Sequence, residues 1–364
     1  MSSLEAQEPT AGPAAGELGA QFLAEIREQP RALESLLEHA GEFERVAALA
    51  RERGTRLVRM VGHGSSDNAA SYGVYAFGLL PQLTALRDSI SLSVYYGSHI
   101  DLSGSLVLGL SQSGRTPDVV EYVARARREG AFTVAITNDP GSDLAEAAEA
   151  LLPLAAGEER AVAATKTYLN TLASLVLLAA HMAGRGEQCV DDLLTVIDLL
   201  EAAIPELEQR MPEVALPFSF VGRMFVIGRG VELATAREIA LKLLETCRIA
   251  AEPLTATDLA HGPVAALDPF FPVWAIASHD ETLPALLEAA ARVRETGATL
   301  LASGAAADWI ADPDYLLPVP KPPAPLLSPL LSVVPGQLFA WALARAKRLD
   351  PDRPSGLSKI TFAR

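Results

Sequence analysis

The chain has 364 residues, 49% of them hydrophobic and 21% charged, with a net charge of −15. That length is comfortable for two domains, each large enough to bury its own core. The acidic balance argues against a nucleic-acid partner, and any anionic ligand must be held by local hydrogen-bond donors because the overall field repels it.

Residues 1–20 are rich in Ala, Gly, Glu and Pro, with no basic start and no apolar run. They read as a flexible tail rather than a signal peptide. Arg56–Val61 predicts a strand ending in Gly62-His63-Gly64, followed by a helical pattern through Leu80. Leu106–Leu110 predicts a strand, Pro117–Glu129 a helix stopped by Gly130, and Phe132–Thr137 another strand. Leu172–Ala180, the longest apolar run, falls short of the roughly 18 residues a membrane span needs and reads as a buried helix. Arg223–Ile227 is again strand-like, ending in Gly228-Arg229-Gly230 before a helix through Thr246. Pro272–Ala277 predicts a strand, Leu283–Glu295 a helix stopped by Gly297, and Thr299–Ala302 a strand. Cys189 and Cys247 are too few for a disulfide framework and lack Cys or His neighbours at metal-ligand spacing. A reducing cytoplasm is the simplest setting, and neither a metal nor a cofactor is called for.

The two halves share one grammar. Gly62 and Gly228 are 166 residues apart; Gly130 and Gly297, like Ser111 and Ser278, are 167 apart. A nearly constant offset over three landmarks is the mark of a duplicated domain. Strand and helix in alternation predict two tandem doubly wound, flavodoxin-like parallel sheets, an α/β class. The expected organisation is a tail at 1–20, a first domain at 21–195, a second at 196–345 and a C-terminal tail at 346–364.

Ligands in such sheets bind at the carboxyl ends of the strands. There the first half places Ser111-Gln112-Ser113-Gly114-Arg115-Thr116-Pro117, a hydroxyl-rich turn opening a helix. Free N–H groups, hydroxyls and the helix dipole make a phosphate cradle without a lysine. Gly62-His63-Gly64-Ser65-Ser66 offers a second hydroxyl-rich edge to the same crevice. The same Ser and Thr residues would also serve as plain N-caps. The matching turn of the second half, Ser278-His279-Asp280-Glu281-Thr282, carries two carboxylates and would repel phosphate.

These motifs resemble the double sugar-isomerase-domain (SIS) family, which includes the isomerase half of glucosamine-6-phosphate synthase. Ser111–Thr116 and Val162-Ala163-Ala164-Thr165-Lys166 resemble its first domain. Leu241-Lys242-Leu243-Leu244-Glu245, Ala251-Glu252 and His261-Gly262-Pro263 resemble its second, and Asp352–Lys359 its tail. The likeness begins at Glu25-Ile26-Arg27-Glu28-Gln29-Pro30. It implies phosphate contacts at Ser66, Ser111, Gln112, Ser113 and Thr116, and further sugar contacts at Ser65, Ala163, Ala164 and Ser358. It implies Glu245 as the base moving a proton between C1 and C2, and Lys359 as the amine forming a Schiff base with the open-chain sugar. His261 is implied as the ring-opening group, reaching a neighbour's site in a homodimer. Taken singly, Glu245 would read as a surface charge, His261 as a loop residue and Lys359 as a solvated tail lysine. Arg115 and Ala164 depart from the family pattern, where Glu and Ser are usual, which bears on substrate identity rather than fold.

The synthase's glutaminase domain begins with a cysteine directly after the initiator Met; here Ser2 follows Met1. The resemblance therefore points to glucosamine-6-phosphate deaminase, giving fructose 6-phosphate and ammonia. Alternatives are a fructosamine-6-phosphate deglycase, a synthase isomerase subunit without its glutaminase, and a non-catalytic phosphosugar-binding protein.

Overall fold

The computed structural model describes residues 18–359, so most of the expected tail at 1–20 lies outside the described residues, as do 360–364. Three helices come first: α1 (Ala20–Arg27), α2 (Gln29–Leu37) and α3 (Ala40–Glu52). The first sheet then alternates with helices: β1 (Leu57–Val61), α4 (Ser65–Leu79), β2 (Thr84–Arg87), α5 (Ile90–Val94), β3 (Ser105–Leu110), α6 (Pro117–Arg128), β4 (Phe132–Thr137), α7 (Asp143–Ala147) and β5 (Ala150–Pro153). α8 (Lys166–Met182) and α9 (Gly186–Ala215) lead to the second sheet. That half runs β6 (Arg223–Gly228), α10 (Glu232–Cys247), β7 (Ala250–Thr255), α11 (Ala256–Ala260), β8 (Val273–Ile276), α12 (Leu283–Glu295), β9 (Leu300–Gly304), β10 (Tyr315–Pro318) and α13 (Ser328–Ala346).

Both sheets are wholly parallel, ordered β2-β1-β3-β4-β5 and β10-β9-β8-β6-β7. Read from β7, the second order is that of the first, so the duplication extends to topology. The order reverses between β1 and β3 in one sheet and between β6 and β8 in the other, which opens a crevice at each reversal. β3 and β4 are buried along their whole length, as strands covered by helices on both faces must be.

Local signals explain the helix limits. α6 begins at Pro117 with Asp118 in its first turn and ends with Arg125, Arg127 and Arg128, charges that complement the helix dipole at both ends. Gly130 then takes φ 87°.

One core unites the halves. Side chains of α4, α8, α10 and α13 and one face of each sheet pack into a single cluster, while smaller clusters cover the outer faces. α9 runs unbroken through residues 195 and 196, so a long helix links the two sheets. The most apolar long helix is α13 rather than the stretch within α8. Ser, Pro and Gln interrupt its apolar run in sequence, yet it is long and apolar enough to span a bilayer. Its residues from Ser328 to Ala344 are buried within the protein, the setting of a core helix.

Candidate active site

The turn after β3 is braced by its own residues. Ser111 Oγ lies 3.1 Å from Thr116 Oγ1 and accepts from Gly114 N at 3.1 Å. Gly114 takes φ 63° and packs so closely that a Cβ there would lie 2.0 Å from Ser142 Oγ. Only glycine fits, and the chain turns back to start α6. Arg115 leaves the turn and donates to Asp139 Oδ2 at 3.1 Å, so this departure adds an outward ion pair and not a cation in the crevice.

After β1, Gly64 at φ 55° turns the chain into α4. A cavity of about 520 Å³ lies between the two turns, lined by Ser65 and Ser66 on one side and Ser111, Gln112, Ser113 and Thr116 on the other. Ala164 and Lys359 also line it. Ala163 instead packs in the core, 1% exposed, and Ser358 is exposed outside the cavity lining. Lys166 turns away to donate to Glu28 Oε2 and the Glu158 carbonyl, both at 2.6 Å.

Lys359 donates to Glu159 Oε2 at 2.8 Å and to the Ala161 carbonyl at 2.6 Å. Glu159 is fully buried. Burial pushes its carboxyl up, but the Lys359 charge and hydrogen bonds from Lys359, Thr165 and Thr167 outweigh that and hold it below the usual carboxylate range. The ion pair seats the tail lysine in the cavity.

Glu245 reaches the site through α10. Lys242 Nζ lies 2.6 Å from Glu245 Oε2 and 3.3 Å from both Glu238 Oε1 and Ser65 Oγ. Ser65 also donates to Glu238 Oε1 at 2.8 Å, and Asn68 to Glu238 Oε2 at 2.9 Å. Burial alone would lower the Lys242 ammonium, but the two carboxylates more than reverse it and raise it above the usual lysine range. Glu238, fully buried, is pushed up by desolvation. The carboxylate of Glu245, 22% exposed, lines a second cavity of about 550 Å³ with Leu241, Arg248 and Ser355. One lysine thus joins Glu245 of the second half to Ser65, in the turn after β1 of the first.

His261 stands apart. It is exposed just after α11, beyond the edge strand β7, and lines neither cavity. In the second half the turn after β8 is satisfied from within: Asp280 Oδ1 accepts from Thr282 N at 2.8 Å and Thr282 Oγ1 at 2.6 Å, and Asp280 Oδ2 from Ser278 at 3.2 Å. A carboxylate sits at the position that Ser113 takes in the first half. Among the described residues no group of His, Cys, Asp and Glu side chains could hold a metal ion.

The sequence profile of the SIS domain matches residues 55–181 and 218–345, one copy on each sheet. The chain belongs to the SIS family. This double-SIS chain is 33% identical over 346 residues to glutamine–fructose-6-phosphate aminotransferase (isomerizing) of Thermococcus kodakarensis, covering 93% of this chain and 57% of that protein. It therefore spans little more than half the length of that relative. The C-terminal domain of glucosamine-fructose-6-phosphate aminotransferase from Francisella tularensis superposes with a TM-score of 0.85 at 25% identity, over 94% of this chain and all of that one. Glucosamine-6-phosphate deaminase from Thermotoga maritima shares the fold, with a TM-score of 0.73 at 22% identity over 94% and 100% of the two chains.

Several site residues of this SIS chain escaped sequence reasoning. Glu159, Glu238 and Lys242 are charged yet buried, and only the fold reveals which charges are inside. The i, i+4 and i+3 spacing of Glu238, Lys242 and Glu245 put them on one helix face and was the available signal. His63 and Asp118 also line the cavity, paired at 2.8 Å across two turns far apart in sequence.

Proposed function

We propose that the chain is a phosphosugar isomerase that deaminates glucosamine 6-phosphate to fructose 6-phosphate. The observation that supports this reading is a hydroxyl-rich turn sharing a cavity with the Lys359 amine, with Lys242 linking Ser65 at that cavity's edge to the Glu245 carboxylate. Ser66, Ser111, Gln112, Ser113 and Thr116 grip the phosphate, a task suited to neutral donors in a chain this acidic. Glu245, held by Lys242, takes the C2 proton of the open-chain aldehyde and returns it at C1, leaving an alcohol at C1 and an imine at C2. The Lys359 amine displaces ammonia from that imine, and water then frees the ketose. His261 serves in ring opening from a second subunit.

The test is release of ammonia and fructose 6-phosphate from glucosamine 6-phosphate in a coupled assay. Glu245→Gln should lower kcat by about 100-fold or more with KM little changed. A folded wild-type protein without turnover at millimolar substrate overturns the proposal.

A further inference from the structure

His63 Nε2 lies 2.8 Å from Asp118 Oδ2. The two belong to different turns: His63 follows β1 directly, and Asp118 is the second residue of α6 after β3. β1 and β3 are neighbours at the reversal of strand order, so the fold brings the pair to the mouth of the crevice. Asp118 is 8% exposed, whereas the imidazole keeps 57% of its surface open. Both line the cavity that holds Ser66, Ser111, Thr116 and Lys359. Asp118 Oδ1 is buried and makes no hydrogen bond among the described residues, which leaves an acceptor open beside the ring.

A carboxylate beneath a helix start is explained by the dipole alone. An imidazole fixed by that carboxylate and open to a cavity is the arrangement of a proton carrier. A carboxylate only accepts, so Nε2 keeps its proton toward Asp118 and Nδ1 is free to load and deliver another. Position in the crevice sets the target. On the proposed reading the phosphate on C6 is held at Ser111–Thr116, so the ring oxygen on the next carbon, C5, falls in the cavity that His63 and Asp118 line.

We infer that His63, oriented by Asp118, protonates the ring oxygen of a cyclic sugar phosphate and opens the ring within its own chain. The inference rests on the phosphosugar assignment above. The proton passes from the imidazolium to the ring oxygen as the C1–O5 bond breaks, and the C1 hydroxyl loses its own proton as the C1 carbonyl forms. The role proposed for His261 is the complementary one at that hydroxyl.

Ring opening can be read apart from the proton shift. In a Glu245→Gln background, two-dimensional exchange NMR measures the enzyme-dependent interchange of the α and β anomers of glucosamine 6-phosphate. Adding His63→Ala should slow that exchange by about 100-fold or more, and Asp118→Asn by about tenfold. Affinity for inorganic phosphate, measured by calorimetry, should stay within about twofold, and circular dichroism should show the fold intact. His63→Asn, which keeps a hydrogen bond to Asp118, must show the same loss and guards against a packing effect. Unchanged exchange in both His63 variants overturns the inference alone. A parallel fall in phosphate affinity also overturns it, since His63 would then be a phosphate ligand. A protein that binds and anomerises neither glucosamine 6-phosphate nor fructose 6-phosphate overturns the underlying assignment as well.

Discussion

Glu25 lies under the loop that carries Glu159, accepting hydrogen bonds from the backbone N–H groups of Arg160 and Ala161. Burial pushes its carboxyl up to about 7, the bond from Arg160 opposes that, and the neighbouring Glu159 charge adds to it. The folded state therefore binds a proton more readily than the unfolded chain between about 4.5 and 7. Stability from this group falls as pH rises through that window and stays reduced above it. Glu25→Gln keeps an acceptor without the charge. It should melt higher than wild type at pH 8, with the gap closing toward pH 4.5, as thermal melts across that range will show; a gap independent of pH contradicts this. Glu25 stood in the opening motif of the sequence, but its burial did not. A glutamate in a polar stretch looks solvated until α1 is docked, and the same blindness hid Glu159, Glu238 and the His63–Asp118 pair.

At the scale of elements the sequence was far more informative, because punctuation and periodicity are local. The limits expected for β4 and α12 match those observed, and the helix expected at Pro117–Glu129 ends one residue earlier. Glycines and prolines wrote those ends. The turn after β3 was legible as a strand-to-helix turn, since Ser-Gln-Ser-Gly precedes a Pro-started helix, and its use as an anion cradle belongs to the proposal above. Its rigidity was not legible. Gly114 combines φ 63° with a wall formed by Ser142, so Gly114→Ala meets both backbone strain and overpacking. The expected cost is about 2–4 kcal/mol, read as a lower urea midpoint, together with weaker phosphate binding. Gly41→Ala, in α3 with nothing within 4 Å of the added carbon, is the control and should not lower stability. Equal effects at the two sites would show that the turn is not braced as described.

For the whole molecule, the constant offset between glycines disclosed the duplication, and the two sheets repeat one strand order. What no offset discloses is how copies face each other, because that is fixed by the shared core of α4, α8, α10 and α13. This packing lets Lys242 bridge Glu245 to Ser65 within one chain. It leaves His261 exposed outside both cavities, so its proposed role requires a second subunit. Mixed dimers decide the matter. Co-expressed Glu245→Gln and His261→Ala chains, each inactive alone, combine so that half the dimers are hybrids and each hybrid has one intact site. About a quarter of wild-type activity should return. Pairing Glu245→Gln with His63→Ala should return none, because the proposed roles assign His63 and Glu245 to one chain's site and each chain lacks one of them. Recovery in the second mixture, or silence in the first, would reverse which histidine crosses the interface.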